Sequence, residues 1–221
     1  MTTAGPHAFD APMTAPETDD AERIDLGDGA WLRYIPSLYP PSVADELLAA
    51  VRDEVAWEQL KIYGHPEARL TAWIGGFTYR YSGKERKPKP WTPTTRLIRT
   101  DVEARVFGAS GGQYRGVLLN RYRDGSDKVG AHSDGEADLL RDAPIASVSL
   151  GAERRFVLRH NTTKEQRVIV LGHGSLLIMG GATQRFWKHE LPRDAKCTGE
   201  RINLTFRQHR ETSPTARSLW R

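Results

Sequence analysis

A chain of 221 residues is long enough to bury one sizeable core. Its net charge of +4 is a mild basic excess that suits an acidic partner without specifying one. The single cysteine, Cys197, excludes an internal disulfide and a cysteine-based zinc cluster. No apolar run approaches the ~18 residues of a membrane-spanning helix. The N-terminus lacks the basic-then-apolar order of a secretory signal, so the expected setting is the reducing cytoplasm.

Residues 1–22 are rich in Ala, Pro, Thr and Asp and are read as disordered. Short apolar pieces from Ile24 to Ile35, broken by Gly27 and Gly29, suggest one or two strands. Pro40-Pro41-Ser42 ahead of VADELLAAVRDEV predicts a helix capped by Ser42, with Val43, Leu47, Leu48 and Val51 on one face. Residues 57–91 interleave aromatic rings with cations. That pattern is either an amphipathic sheet with a solvated lysine cluster or a nucleic-acid surface, with cations for phosphate and rings for bases. After Pro93, an amphipathic helix carries Leu97, Ile98, Val102 and Val106 on one side. From Val117 onward, short strands alternate with glycine-rich turns, which argues for an antiparallel sandwich or barrel.

Within that β region, Asn120 to Glu136 reads NRYRDGSDKVGAHSDGE. On an extended strand, His132 and Asp134 point to one face. With a remote second histidine, they form the pattern of a 2-His-1-carboxylate triad, which binds Fe(II) on one side and leaves the other open. The pair alone is weak evidence. Of the seven histidines, His189, in QRFWKHELP, is the best partner. The segment Arg201 to Arg207 follows, with Ile202, Leu204 and Phe206 on one face and Arg201, Asn203, Thr205 and Arg207 on the other. Two readings are open for it: a polar face turned to water, or a polar face lining a cavity inside a barrel. In the second, the two arginines suit a dicarboxylate, since each guanidinium can hold a carboxylate bidentately. Asn120 and Tyr122 would add polar groups to the same cavity.

Taken together, N-x-Y, H-x-D-x-E, PIASVSLG, GSLLIM, W-x-H and R-x-NLTFR resemble the AlkB family of Fe(II)- and 2-oxoglutarate-dependent dioxygenases, over about Leu60 to Arg207. The chain is most similar to the branch containing the mammalian duplex-DNA repair homologues. The resemblance implies a mainly β, α+β fold: a double-stranded β-helix (jelly-roll) core over 117–209, preceded by N-terminal helices and a β-hairpin substrate lid within 23–116. Lid and core form one domain, and 210–221 is a flexible tail. It implies Fe(II) on His132, Asp134 and His189, with 2-oxoglutarate and O2 as co-substrates. Arg201 takes the distal carboxylate of 2-oxoglutarate with help from Tyr122. Arg207 and Asn120 lie near its other end, supported by Asn203 and Thr205.

In the lid, Tyr63 of Ile62-Tyr63-Gly64 matches an intercalating wedge, and Tyr81 matches a ring that stacks on the damaged base. Arg69 and Trp73 belong to the same lid. Glu136 matches an acidic base-reading position. Lys84, Arg86, Lys87 and Lys89 either track phosphates or are solvated. The implied reaction is oxidative demethylation of bases such as 1-methyladenine and 3-methylcytosine in DNA, releasing formaldehyde and succinate, by a monomer with no membrane partner. The same chemistry on RNA, tRNA or a small molecule, or a non-catalytic binder of alkylated nucleic acid, are the alternatives.

Overall fold

The computed structural model describes residues 23–62, 64–81 and 84–210, with the backbone alone for Ile62, Arg80, Tyr81 and Lys84. The disordered segment expected over 1–22, the wedge at Tyr63 and the tail from 211 lie outside the described residues. In chain order the elements are β1 (Arg23–Gly27), β2 (Ala30–Ile35), α1 (Pro41–Glu54), β3 (Lys61–Ile62), β4 (His65–Pro66), β5 (Leu70–Gly75), β6 (Tyr79–Tyr81), β7 (Lys84–Arg86) and α2 (Pro93–Phe107). There follow β8 (Gly116–Tyr122), β9 (Val129–His132), β10 (Ile145–Gly151), β11 (Arg154–His160), β12 (Gln166–Leu171), β13 (Ser175–Gly181), α3 (Thr183–Phe186), β14 (Trp187–Leu191) and β15 (Arg201–Arg207).

A seven-stranded sheet runs β1-β2-β13-β10-β15-β8-β5, and a four-stranded sheet runs β12-β11-β14-β9. Every pairing in them is antiparallel. The β3–β4 and β6–β7 hairpins stand apart as two-stranded sheets. This is the expected jelly-roll arrangement, two facing sheets with helices on the outside of the larger one. Its two faces carry separate apolar clusters. One packs Leu47 and Val51 of α1 and Ile98 and Val102 of α2 against Val148, Leu204 and Phe206. The other fills the space toward the smaller sheet with Leu32, Tyr122, Phe156, Leu158, Met179 and Leu191.

The central strand β15 decides between the two readings of its alternation. All seven of its residues are buried. Ile202, Leu204 and Phe206 join the cluster under the helices, while Arg201, Asn203, Thr205 and Arg207 turn between the sheets. A polar face buried at the centre of a sheet needs internal partners or a ligand.

Local chemistry differs from expectation in a few places. α1 starts at Pro41, with Pro40 at its N-cap and no side-chain capping bond, so Ser42 does not cap it. Proline at the first helical position is preset in φ and has no N–H to satisfy. Its buried face is Ala44, Leu47 and Val51, with Val43 and Leu48 only half-buried. α2 is capped by Thr92, whose side chain and that of Thr95 each accept from the other's backbone N–H, a complete capping box. Trp73 lies flat over Gly116, where a Cβ would meet its ring at 2.3 Å, so glycine is required there. At the C-terminus, Gln208 and His209 are buried and the Arg210 N–H donates to Asp138 O at 2.8 Å, so the packed chain continues through the start of the expected tail.

Candidate metal and co-substrate site

Strand β14 pairs with β9 so that His189 sits directly across from His132. Their rings are 4.4 Å apart. Asp134 lies two residues beyond His132, just past the end of β9, so extended-strand geometry alone does not aim it. Its backbone N–H donates to Gln184 Oε1 at 2.9 Å, and its Oδ2 accepts from Arg207 Nε and Nη2, each at 2.9 Å. These bonds, from α3 and β15, turn the carboxylate inward. The ligand atoms of His132, Asp134 and His189 then lie within 4.8 Å of one another.

The details of this cluster fit a cation. The Nδ1 of His132 faces Gly130 O at 2.8 Å. When Nδ1–H donates there, Nε2 keeps its lone pair and points at Asp134 Oδ1, 3.7 Å away. Asp134 Oδ1 is buried without a hydrogen-bond partner. Burial pushes the pKa of His189 down to about 3, which keeps the imidazole neutral. Burial pushes Asp134 up, but the Arg207 guanidinium bonded to it holds the carboxylate below its ordinary range. Two neutral imidazoles and one ionised carboxylate are the donor set that Fe(II) takes in such triads. Phe156 stacks on His189 at 5.2 Å and fixes its plane.

The same pocket is walled by Arg201, Asn203, Thr205 and Arg207 from β15, by Asn120 and Tyr122 from β8, and by Arg69. β15 pairs with β8 so that Arg201 is opposite Tyr122 and Asn203 opposite Asn120. The two arginines of β15 differ in their surroundings. Arg207 is neutralised by Asp134. Arg201 is 2% exposed, donates to Ser149 Oγ at 2.9 Å and lies 5.3 Å from the Tyr122 ring. No carboxylate among the described residues pairs with it, and its Nε is buried without a partner. Burial pushes its pKa down to about 10. A buried guanidinium without a counter-ion is costly, and an anionic ligand in this pocket removes that cost. Asn203 is locked by bonds to Ser147 Oγ at 2.7 Å and Val148 O at 3.0 Å, and it accepts from Thr205 at 2.9 Å.

The residues expected on the substrate side take several positions. Arg69 leaves the lid and donates to Asn120 Oδ1 at 2.7 Å on the pocket wall. Trp73 is 2% exposed, donates to Phe77 O at 2.8 Å and stacks on Tyr79, so it supports the hairpin from below. Glu136 lines a neighbouring cavity that also touches Asp134 and Arg207. Its Oε1 accepts from Tyr79, and its Oε2 is buried without a partner. Arg86 does not face phosphate or solvent, because Glu67 draws it inward to 5% exposure. Lys89 is tied to Glu58 at 2.6 Å. Sequence reasoning read Ser149 as an inward residue with a structural role and gave no role to Gln184 or Tyr79. Ser149 had a signal, since small polar residues at 147 and 149 recur at the strand period. Gln184 had none.

His209 was also overlooked. It closes over the hairpin, 4.6 Å from Phe77 and 5.5 Å from Trp73, with Nδ1 3.2 Å from Asp138. Burial lowers its pKa, partly offset by Asp138. The unfolded chain therefore takes up a proton on this ring more readily than the folded one, so folding is weakened as pH falls below about 6.5. His209→Gln should flatten that acid-side slope in melting curves taken between about pH 7 and pH 5. An unchanged slope would count against it.

A jelly roll that gathers two histidines, a buried carboxylate and a buried unpaired arginine in one pocket defines a 2-oxoglutarate- and Fe(II)-dependent dioxygenase, and the 2OG-Fe(II) oxygenase superfamily matches residues 31–207. Fe(II), 2-oxoglutarate and O2 are the cofactor and co-substrates of that superfamily. Within it the chain belongs to the AlkB family. It is 39% identical over 188 residues to the DNA oxidative demethylase ALKBH2 of Homo sapiens, covering 77% of this chain and 70% of that protein. It is 36% identical to the Mus musculus ALKBH2, covering 77% of each. Against the alpha-ketoglutarate-dependent dioxygenase alkB homolog 3 of Rattus norvegicus it is 38% identical, covering 77% of this chain and 62% of that protein. The solved structure of OsALKBH1 shares the fold, with a TM-score of 0.58 at 20% identity, over 85% of this chain and all of that one. No helix among the described residues is long and apolar enough to cross a membrane.

Proposed function

We propose that this chain is a DNA oxidative demethylase that removes N-methyl groups from bases such as 1-methyladenine and 3-methylcytosine. The observation that carries the reading is the unpaired Arg201 guanidinium in the same pocket as His132, Asp134 and His189. Its support from relatives is that the ALKBH2 proteins it resembles are DNA oxidative demethylases.

In this reading His132, Asp134 and His189 hold Fe(II), and Arg207 keeps Asp134 ionised. Arg201 takes the distal carboxylate of 2-oxoglutarate, with Tyr122 against its guanidinium. Asn120 and Arg207 serve the other end, with Asn203 and Thr205 supporting them. Bound Fe(II) supplies the activation of O2 that couples decarboxylation of 2-oxoglutarate to hydroxylation of the N-methyl group, which leaves as formaldehyde with succinate as co-product. Phe156, Leu171, Met179 and Leu191 line the pocket and exclude water.

The methylated base leaves its stack to reach the site. Methylation at a pairing nitrogen helps twice: it weakens pairing and leaves the base cationic. Glu136, oriented by Tyr79 and with Oε2 unpartnered, is placed to favour that charge. Tyr81 on β6 is the stacking ring and Tyr63, between β3 and β4 in sequence, the wedge. The protein acts as a monomer in the reducing cytoplasm. Mass spectrometry of a duplex and of a single strand carrying 1-methyladenine, with and without 2-oxoglutarate, tests the function. Loss of a CH2 unit only when 2-oxoglutarate is present is expected. An unchanged mass in both substrates would overturn it.

A further inference from the structure

Arg86, at the end of the β6–β7 hairpin, is buried. Its Nη2 lies 3.2 Å and 3.4 Å from the two carboxylate oxygens of Glu67, and its Nη1 donates to Thr71 Oγ1. Glu67 is itself 5% exposed and receives the Thr71 hydroxyl at 3.3 Å. On its other side Arg69 Nη2 lies 3.5 Å from Glu67 Oε1. Arg69 then reaches the pocket wall through Asn120. Among the described residues, Glu67 is the only carboxylate that ion-pairs with either guanidinium. One buried carboxylate is therefore shared by two buried cations, and the cluster carries an excess positive charge beside the co-substrate pocket.

We propose that Glu67 is a positioning residue: Arg86, Glu67 and Arg69 form a buried relay through which 2-oxoglutarate in the pocket and the β6–β7 hairpin stabilise each other. The relay rests on the reading of this pocket as the 2-oxoglutarate site. An anion beside Arg69 supplies the missing counter-charge. Glu67 is then left to pair more fully with Arg86, which holds the hairpin down. By reciprocity, an anchored hairpin strengthens co-substrate binding by the same factor. Arg86 does not line the pocket, so an effect of Arg86 on 2-oxoglutarate affinity is a signature of the relay.

The test uses the full chain loaded with Mn(II), which does not turn over, and titrates 2-oxoglutarate calorimetrically. Backbone hydrogen exchange of residues 84–86 is followed with and without 2-oxoglutarate. In the wild-type chain, 2-oxoglutarate should slow exchange in the hairpin. Arg86→Met should weaken 2-oxoglutarate on the order of 5–10-fold and abolish the added protection, Glu67→Gln should do the same, and Glu67→Asp should fall between. Unchanged hairpin exchange in the wild-type chain on adding 2-oxoglutarate overturns the relay, and needs no variant. Variants that melt lower but bind 2-oxoglutarate as the wild type does also overturn it, leaving Glu67 a purely structural role. A wild-type chain that binds no 2-oxoglutarate overturns instead the reading of the pocket on which the relay stands.

Discussion

Asp134→Ala should abolish turnover and also destabilise the fold. In the proposed triad Asp134 is one of three ligands, so its loss should remove a third of the protein's grip on the metal, and activity should fall by more than about 100-fold. The second effect comes from Arg207. That guanidinium is 4% exposed, and Asp134 is its only ion-pair partner among the described residues. Taking the carboxylate away leaves a buried cation uncompensated, at roughly 3–5 kcal/mol. Asp134→Asn separates the two effects. It keeps an oxygen for Arg207 and the shape of the site, but loses the charge that a metal needs. Its folding loss should be smaller than that of alanine while its activity loss is as large. Denaturant melts beside an iron titration check both. An alanine variant as stable as the wild type would show that Arg207 does not depend on Asp134.

Arg201→Leu should have the opposite sign on stability and a large effect on 2-oxoglutarate. Arg201 is buried with a hydroxyl and a ring for company and no carboxylate. Without co-substrate, exchanging an uncompensated buried cation for an apolar side chain should leave the melting temperature unchanged or raised. With co-substrate, two charge-assisted hydrogen bonds to the distal carboxylate are lost, each about 1.5–3 kcal/mol. The KM for 2-oxoglutarate should therefore rise on the order of 100-fold or more. The gain in melting temperature that 2-oxoglutarate gives the wild-type chain should vanish in the variant. A variant that melts lower without ligand and binds 2-oxoglutarate normally would remove Arg201 from the site.

These opposed signs trace to Arg207 and Arg201, on one face of β15, and that face was legible in the sequence. The alternation over 201–207 identified β15, and His132 and His189 were separable from the other histidines by context. What the sequence could not decide was whether the polar face met water or a ligand. The structure takes that face out of water: β10 and β8 flank β15 on both edges, and residues of the second sheet line the pocket over its polar face. Pairing of His132 with His189 across strands 57 residues apart was likewise invisible in local pattern. The basic, aromatic stretch 57–91 was the least legible. Its composition left open an amphipathic sheet with solvated lysines and a nucleic-acid surface, and neither reading foresaw that Glu67 draws Arg69 and Arg86 inward or that Trp73 stacks on Tyr79. An acidic residue in a basic run changes which cations remain free, and only tertiary structure shows which ones it takes. Glu136 likewise holds Tyr79, which is fully buried against it.

The most direct measurement of the central claim counts both products in one reaction. The full chain, Fe(II), 2-oxoglutarate and an oligonucleotide carrying 1-methyladenine are mixed in air, and succinate and formaldehyde are quantified together. The account predicts formaldehyde matched by at least as much succinate, with both lost on omitting iron or replacing Asp134. Formaldehyde released without 2-oxoglutarate, or undiminished in Asp134→Ala, would contradict it.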